Sequence, residues 1–358
     1  MIKNIQYLRF LAAALVVLAH SNLQIYGING ASTNLGGFGV DIFFIISGFI
    51  MPYIIYGGLY TESPTATMGA AGFLWRRITR IWPMYFITIA CVIVISYAVG
   101  SGFIPNVTAD LAYIFNPSKA NPLWVFETLT FTHWSRPPVL GIGWTLQVEF
   151  LFYVSIAAVL LFRVNTLAGM EAGILSFFFL TLLLSSHSEV ASAFANPMIF
   201  EFMLGFFLYR IVSSNVTMNK NIAIFILAIS APALLAIELS GAIKLSGTIY
   251  RPVAWGVPAF FLVWAALSLE QYTKDSKIFS LLGDASYSLY LTHGFISPLF
   301  VFIWISFGLA DTIPWWIYLP LYFAVCQGIG VVAHLYVEKP INNSIRKIFR
   351  KKPKCATA

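Results

Sequence analysis

The chain contains 358 residues, of which 59% are hydrophobic and only 10% are charged, and it carries a formal net charge of +7. Soluble domains have about 25% charged residues, so this composition excludes an ordinary soluble protein. Apolar segments of about 18 to 25 residues recur along the chain, and each is long enough to cross a hydrocarbon core as a helix.

The predicted fold is an all-α integral membrane protein, a polytopic bundle of about ten transmembrane helices. Short connectors rich in Gly, Pro, Asn or charged residues separate most of the apolar segments. The predicted helices lie near residues 5–26, 37–56, 78–99, 141–162, 172–188, 196–213, 221–239, 252–269, 284–307 and 313–336.

The positions of the basic residues predict the orientation of this bundle. If the N-terminus is cytoplasmic, most of the 21 Lys and Arg residues lie on the inner side, as the positive-inside rule expects. The residues left outside are Lys119, Arg136, Lys244 and Arg251. Both termini are then cytoplasmic, with residues 1–345 as one transmembrane domain. Residues 346–358 form a basic tail that we expect to lie on anionic inner-leaflet lipid.

The first predicted span contains two ionisable residues, Arg9 and His20. Such residues are costly inside a bilayer unless they face protein or water. Their separation of 11 residues is about 1100° of helix rotation, so both side chains lie on one face. Arg9 alone could be a snorkelling anchor, and His20 alone could be a packing histidine.

The second predicted span adds Asp41 at roughly the depth of His20. The two residues could simply neutralise each other. Alternatively, His20 is a general base and Asp41 fixes its tautomer. Three arginines follow at the entrance to the third span, Arg76, Arg77 and Arg80. These arginines could simply fix the orientation of the span in the membrane. Alternatively, they bind a phosphorylated cytosolic ligand, because guanidinium groups match phosphate oxygens.

Three more polar residues lie inside later spans. Glu149 is two turns into the fourth span, where a carboxylate must be partnered or protonated. Tyr290 and His293 are three residues apart in the ninth span and so share a face. His133, His187 and His334 have no such neighbours in the sequence. No spacing of Cys and His residues suggests a metal site or a disulfide framework.

Six ordered motifs over residues 3–345 resemble the acyltransferase-3 family of membrane O-acyltransferases, and most closely its exopolysaccharide O-acetyltransferase branch. Thr145 occupies a motif position where many members have Ser. The motifs are the R-x10-H element (Arg9 and His20), GVDIFFIISGF (40–49 with the preceding Gly), RRITRIWPMY (76–85), WTLQVEFLFY (144–153), SYSLYLTH (286–293) and VEKP (337–340).

The resemblance implies an acyl-CoA donor, usually acetyl-CoA, on the cytosolic side, and an acceptor hydroxyl on a lipid-linked or extracytoplasmic glycan. It also implies a multi-pass protein of the bacterial inner membrane, whose other contacts are membrane lipids. No metal and no nucleic acid is expected.

On this reading Arg76, Arg77 and Arg80 hold the CoA phosphates, and Tyr290 and His293 complete the donor site. His20 is the general base, oriented by Asp41 or by Glu149, and Arg9 positions the donor. A transient acyl-histidine is the alternative chemistry. The alternative functions are a transporter or flippase of a glycan or lipid-linked intermediate, and a non-catalytic scaffold.

Overall fold

The computed structural model describes residues 2–28, 35–59, 65–103, 114–239 and 250–349. These residues are mostly helical and contain no strand, only an isolated antiparallel bridge between Thr65 and Thr166. The all-α prediction is confirmed for this part of the chain. Lys244 and residues 350–358 of the predicted basic tail lie outside the described residues.

Each of the ten predicted segments contains a long helix. These helices are α1 (Lys3–Ala19), α2 (Phe38–Ile55), α3 (Ala70–Gly100), α4 (Gly143–Leu161), α5 (Leu167–Leu184), α6 (Ile199–Ser213), α7 (Lys220–Leu239), α8 (Val257–Ser268), α9 (Ser286–Ser306) and α10 (Trp315–Ala333). Six of the described helices are long and apolar enough to cross a membrane: α2, α3, α4, α5, α9, and α10 together with the residues that continue it. The chain is therefore a multi-pass helical membrane protein; the full count of ten spans and their orientation stay predictions.

Shorter elements connect these helices. One of them, Lys339–Phe349, contains the predicted domain boundary at residue 345. The short α-helices are Pro122–Thr130, Glu189–Phe194, Lys277–Asp284, Leu309–Thr312 and Lys339–Phe349; the 3-10 turns are Leu23–Tyr26, Leu35–Gly37, Pro117–Ala120 and Glu270–Tyr272; and the π turns are Pro252–Gly256 and His334–Glu338.

Helix α1 ends at Ala19, not near residue 26 as predicted, and His20 is its C-cap. The polar residues that follow explain this early end. The Ser21 hydroxyl donates to the Leu18 carbonyl at 2.7 Å, and Asn22 takes a left-handed conformation with φ 51°, which Asn tolerates better than most residues. His20 thus lies where the chain leaves the helix.

Helix α3 begins at Ala70, eight residues before the predicted start at 78. The prediction placed the helix start after Arg76 and Arg77 because hydropathy falls there. Helix formation does not require apolar residues, and the chain has no Gly or Pro between Gly72 and Pro83 to interrupt it. The arginine cluster is consequently held on a regular helix.

Helix α2 lies at the centre of the bundle because its glycines allow close approach of its neighbours. A side chain at Gly39 would collide with the Ala12 carbonyl of α1, and one at Gly48 would collide with the Phe202 carbonyl of α6. Small residues at such crossings let backbones pack closely in membranes. This packing leaves one side of α2 facing a cavity.

Candidate active site

A cavity of about 300 Å³ runs along α2. Its lining on that helix extends from Val40 to Ile54, which at 1.5 Å per residue is roughly 20 Å. The cavity is therefore long and narrow. The lining residues with polar side-chain groups are Gln6, Arg9, Ser47, Tyr53, Arg77, Arg80, Thr145, Glu149, Tyr153, Tyr287 and Tyr290.

One end of the cavity, which we call the basic end, is formed by Arg9, Arg77 and Arg80. Arg9 Nη1 donates to Gln6 Oε1 at 3.1 Å, so Arg9 faces the cavity. Arg77 is only 8% exposed, and its Nε has no hydrogen-bond partner among the described residues. A buried cation with a free donor favours an anionic ligand.

Only two of the three clustered arginines of α3 line the cavity. Arg77 and Arg80 are three residues apart and share the face of α3 that lines the cavity. Arg76 is exposed and is not among the lining residues. Its predicted role in donor binding thus depends on a ligand that extends beyond the cavity.

Glu149 lies on the cavity wall between its two ends, and it is partnered, as its position in an apolar helix requires. Its Oε1 accepts hydrogen bonds from the Ser47 hydroxyl at 2.6 Å and the Tyr153 hydroxyl at 2.5 Å. Tyr153 follows Glu149 by four residues and lies on the same helix face. The carboxylate is thereby tied to α2 and α4.

The other end of the cavity, the closed end, is formed by two hydroxyl groups. Thr145 Oγ1 and Tyr290 Oη lie 2.5 Å apart. Each is also 3.0 Å from the Ile142 carbonyl oxygen, which can only accept. The remaining residues here are apolar: Val40, Phe43, Phe44 and Leu146.

Two histidines lie behind the closed end. The His293 ring centroid is 5.6 Å from that of Tyr290 and 5.0 Å from that of His20. His293 is fully buried, and its Nε2 has no partner among the described residues. Neither histidine is among the lining residues of the cavity, so the face expected to join Arg9 to His20 is interrupted by Tyr290 and His293.

His20 is held from both sides. Its Nδ1 is 2.8 Å from the Val16 carbonyl oxygen; because a carbonyl only accepts, Nδ1 is the protonated nitrogen of the neutral ring and Nε2 has the lone pair. The His20 carbonyl accepts from the Ser297 and Tyr322 hydroxyls at 2.6 and 3.1 Å. The side chain is exposed, so Nε2 is accessible from outside the cavity.

Neither carboxylate proposed to orient His20 is hydrogen-bonded to it in the described part of the chain. Glu149 is held by Ser47 and Tyr153. Asp41, fully buried, accepts two hydrogen bonds from Arg251 at 3.1 Å each. The Arg251 guanidinium lies 5.0 Å from the ring of Trp255. The orientation of His20 seen here comes instead from its own helix.

Sequence reasoning missed several of these partners. Arg251 was counted only as a basic residue outside the membrane, and nothing nearby in the sequence links it to Asp41. Tyr153 could have been found from its spacing to Glu149. His334 was assigned to a loop or helix end without a named partner; its Nδ1 is 2.8 Å from Glu338 Oε2, which also accepts from the Ser288 hydroxyl at 2.6 Å.

Within the described ranges, no group of three or more His, Cys, Asp and Glu side chains could hold a metal ion. The polar groups of the cavity are instead guanidinium, hydroxyl and single carboxylate groups. This set suits an anionic ligand that can also accept hydrogen bonds from hydroxyl groups. A family model described as an acyltransferase domain matches residues 2–334. The chain belongs to the acyltransferase-3 family.

This acyltransferase-3 member is similar in sequence to three relatives of known name. The exopolysaccharide production protein ExoZ of Rhizobium meliloti is 27% identical over 331 residues, 87% of this chain and 91% of the relative. Nodulation protein 10 of Rhizobium leguminosarum bv. viciae is 31% identical over 172 residues, 44% of each chain. The peptidoglycan O-acetyltransferase OatA of Listeria monocytogenes is 29% identical over 163 residues, 45% of this chain and 24% of the relative.

No solved structure shows a significant match to this acyltransferase-3 member. As a member of this family with apolar helices long enough to cross a membrane, the protein is a membrane-embedded acyltransferase.

Proposed function

We propose that this protein transfers an acyl group, acetyl, from cytosolic acyl-CoA to a hydroxyl of a cell-surface or lipid-linked glycan such as exopolysaccharide. One observation carries the proposal: a narrow cavity begins at three arginines and ends one side chain away from a pair of histidines. An anionic acyl donor and an alcohol acceptor can approach this closed end from opposite sides.

The donor enters through the basic end. A volume of about 300 Å³ is at the lower limit of small-molecule pockets, so only part of a coenzyme A thioester fits inside. The extended pantetheine arm suits a cavity of roughly 20 Å. The phosphates stay at the mouth with Arg9, Arg77 and Arg80, and Arg76 contacts the part that remains outside.

His20 is the general base. Its exposed Nε2 takes the proton of the acceptor hydroxyl as that oxygen attacks the thioester carbon, and CoA leaves toward the basic end. His293 packs against the ring that performs this step, and Tyr290 separates it from the donor. Asp41 supports the site through Arg251, and Glu149 keeps the cavity wall in place between the two ends.

The acceptor class is taken from the relatives. ExoZ is a protein of exopolysaccharide production and OatA a peptidoglycan O-acetyltransferase, and both names point to glycans. A glycan hydroxyl on the far side of the bacterial inner membrane fits the exposed position of His20. The predicted cytoplasmic N-terminus agrees with this arrangement, because Ile2 and Ile5 line the cavity near its basic end.

The test uses the purified full chain in lipid nanodiscs with acetyl-CoA and exopolysaccharide fragments. We expect free CoA thiol and an acetyl ester on the glycan to appear in equal amounts, the ester seen by mass spectrometry. His20→Ala is the matched inactive control. If the wild-type protein consumes no donor but moves labelled glycan lipid across the bilayer, the protein is a flippase and the proposal fails.

A further inference from the structure

The closed end of the cavity is apolar except for the hydroxyls of Thr145 and Tyr290. Both side chains are buried, 5% and 7% exposed. Their oxygens are 2.5 Å apart and both contact the Ile142 carbonyl. Without a ligand, the two hydroxyls therefore satisfy each other and one backbone acceptor.

A thioester that fills the cavity brings its carbonyl to these hydroxyls. The donor phosphates are held at the basic end, so the acyl group is the part that reaches furthest along α2. Val40, Phe43 and Leu146 offer it no hydrogen bond. A carbonyl oxygen that enters here must accept from Thr145 and Tyr290 or remain without a partner, which is costly in a buried site.

The same hydroxyls stand directly before the histidines. The Tyr290 ring lies between the cavity and His293, and the His293 ring is in edge contact with His20. A carbonyl oxygen that accepts from the Tyr290 hydroxyl therefore lies on the cavity side of this ring, and the acceptor hydroxyl must reach the thioester past Tyr290 and His293 from the side of His20.

Resting on the acyl transfer proposed above, we infer that Thr145 and Tyr290 are catalytic residues that form the oxyanion hole of this enzyme. Both hydroxyls donate to the carbonyl oxygen of the donor and stabilise the negative charge that develops on it. Two buried, preorganised donors are an arrangement that stabilises the developing oxyanion in acyl transfer.

The reaction balances without a further reagent. The acceptor oxygen forms a bond to the carbonyl carbon, its proton passes to His20 Nε2, and the carbonyl π electrons move to the oxygen held by Thr145 and Tyr290. When the tetrahedral intermediate collapses, the C–S bond breaks and the thiolate leaves with its electron pair. The proton held by His20 then passes to the thiolate.

The experiment removes each hydroxyl with little change of shape. Tyr290→Phe and Thr145→Val are compared with wild type by kcat and by KM for acetyl-CoA, in the thiol-release assay with glycan present. We expect kcat to fall about 10²- to 10³-fold in Tyr290→Phe while KM changes little. Thr145→Val should also lower kcat, and Thr145→Ser, which keeps a hydroxyl, should recover most of it.

Tyr85→Phe is the matched control, because Tyr85 is a buried tyrosine outside the cavity lining whose hydroxyl has no partner among the described residues. Its kcat should equal that of wild type. Full kcat in both Tyr290→Phe and Thr145→Val overturns the oxyanion hole but leaves acyl transfer standing. A loss of kcat in Thr145→Ser as large as in Thr145→Val also overturns it, since keeping the hydroxyl then does not preserve the rate. A wild-type protein that releases no thiol overturns both proposals.

Discussion

The imidazole rings of His20 and His293 meet edge to face with their centroids 5.0 Å apart, although the residues lie at opposite ends of the chain. Each ring places its Nδ1 on the carbonyl four residues earlier, Val16 at 2.8 Å and Leu289 at 3.2 Å. The Nε2 atom of each ring takes no part in these contacts. Because His20 is exposed and His293 is fully buried, we expect the two rings to have different roles that mutation can separate.

The first prediction concerns the general base. His20→Ala should lower acetyl transfer about 10²- to 10⁴-fold, the usual contribution of a positioned base, while the protein remains in the membrane fraction. His20→Gln should be equally inactive, since an amide cannot accept the proton. Transfer at the wild-type rate in either variant would show that another group performs this step.

The second prediction concerns the coupling of the two rings. His293→Ala alone should reduce kcat, because it leaves a cavity beside His20 and loosens its ring. In the double variant His20→Ala/His293→Ala the loss should be no larger than in His20→Ala, since residues in contact do not act additively. Additive losses measured by the thiol-release assay would mean that His293 acts independently, for instance by binding the donor.

The third prediction concerns the basic end. Arg77→Gln and Arg80→Gln should each raise the KM for acetyl-CoA by about ten- to a hundredfold, the effect of losing one charge-assisted hydrogen bond, with a smaller change in kcat. Arg76→Gln should have a weaker effect, because this side chain does not line the cavity.

Arg163→Gln serves as the control for the third prediction, since Arg163 is an exposed arginine at the end of α4 and should not change KM. Donor binding can be checked separately by isothermal titration with coenzyme A. Wild-type affinity in the Arg77 and Arg80 variants would assign these arginines to membrane topology alone.

The fourth prediction concerns the buried pair of Asp41 and Arg251. Arg251→Gln leaves the Asp41 carboxylate buried without its guanidinium and should lower the free energy of unfolding by about 3 to 5 kcal/mol. Asp41→Asn/Arg251→Gln removes both charges and should be more stable than Arg251→Gln. Unfolding can be followed by denaturing-detergent titration of the purified protein.

The half-exposed pair of Arg136 and Glu127 gives a comparison for the fourth prediction. Arg136→Gln should cost about 1 kcal/mol or less, because pairs near solvent contribute little. If Arg251→Gln is no more destabilising than Arg136→Gln, then the pair of Asp41 and Arg251 does not hold α2 against the segment that leads into α8.

Much of the fold follows from the sequence, but the boundaries near the site do not. Long apolar runs predict where the main helices lie, because a helix that spans the bilayer needs about 20 apolar residues; six of the described helices are long and apolar enough to cross a membrane. The end of α1 and the start of α3 were misplaced because hydropathy reports transfer into lipid, whereas capping and backbone hydrogen bonds decide where a helix begins and ends. Those two errors affect the residues of the site: His20 is a C-cap, and the arginines lie within α3.

The sequence by itself determined the membrane class and the family, and it named most of the candidate site residues, since intramembrane Arg, His, Asp and Glu are expensive and therefore stand out. Only the tertiary structure decided their pairing. It joined Asp41 to Arg251, held Glu149 with Ser47 and Tyr153, and brought His20 against His293. These contacts form between helices that are distant in the chain, and helix periodicity fixes the face a residue occupies but not the neighbour that face meets.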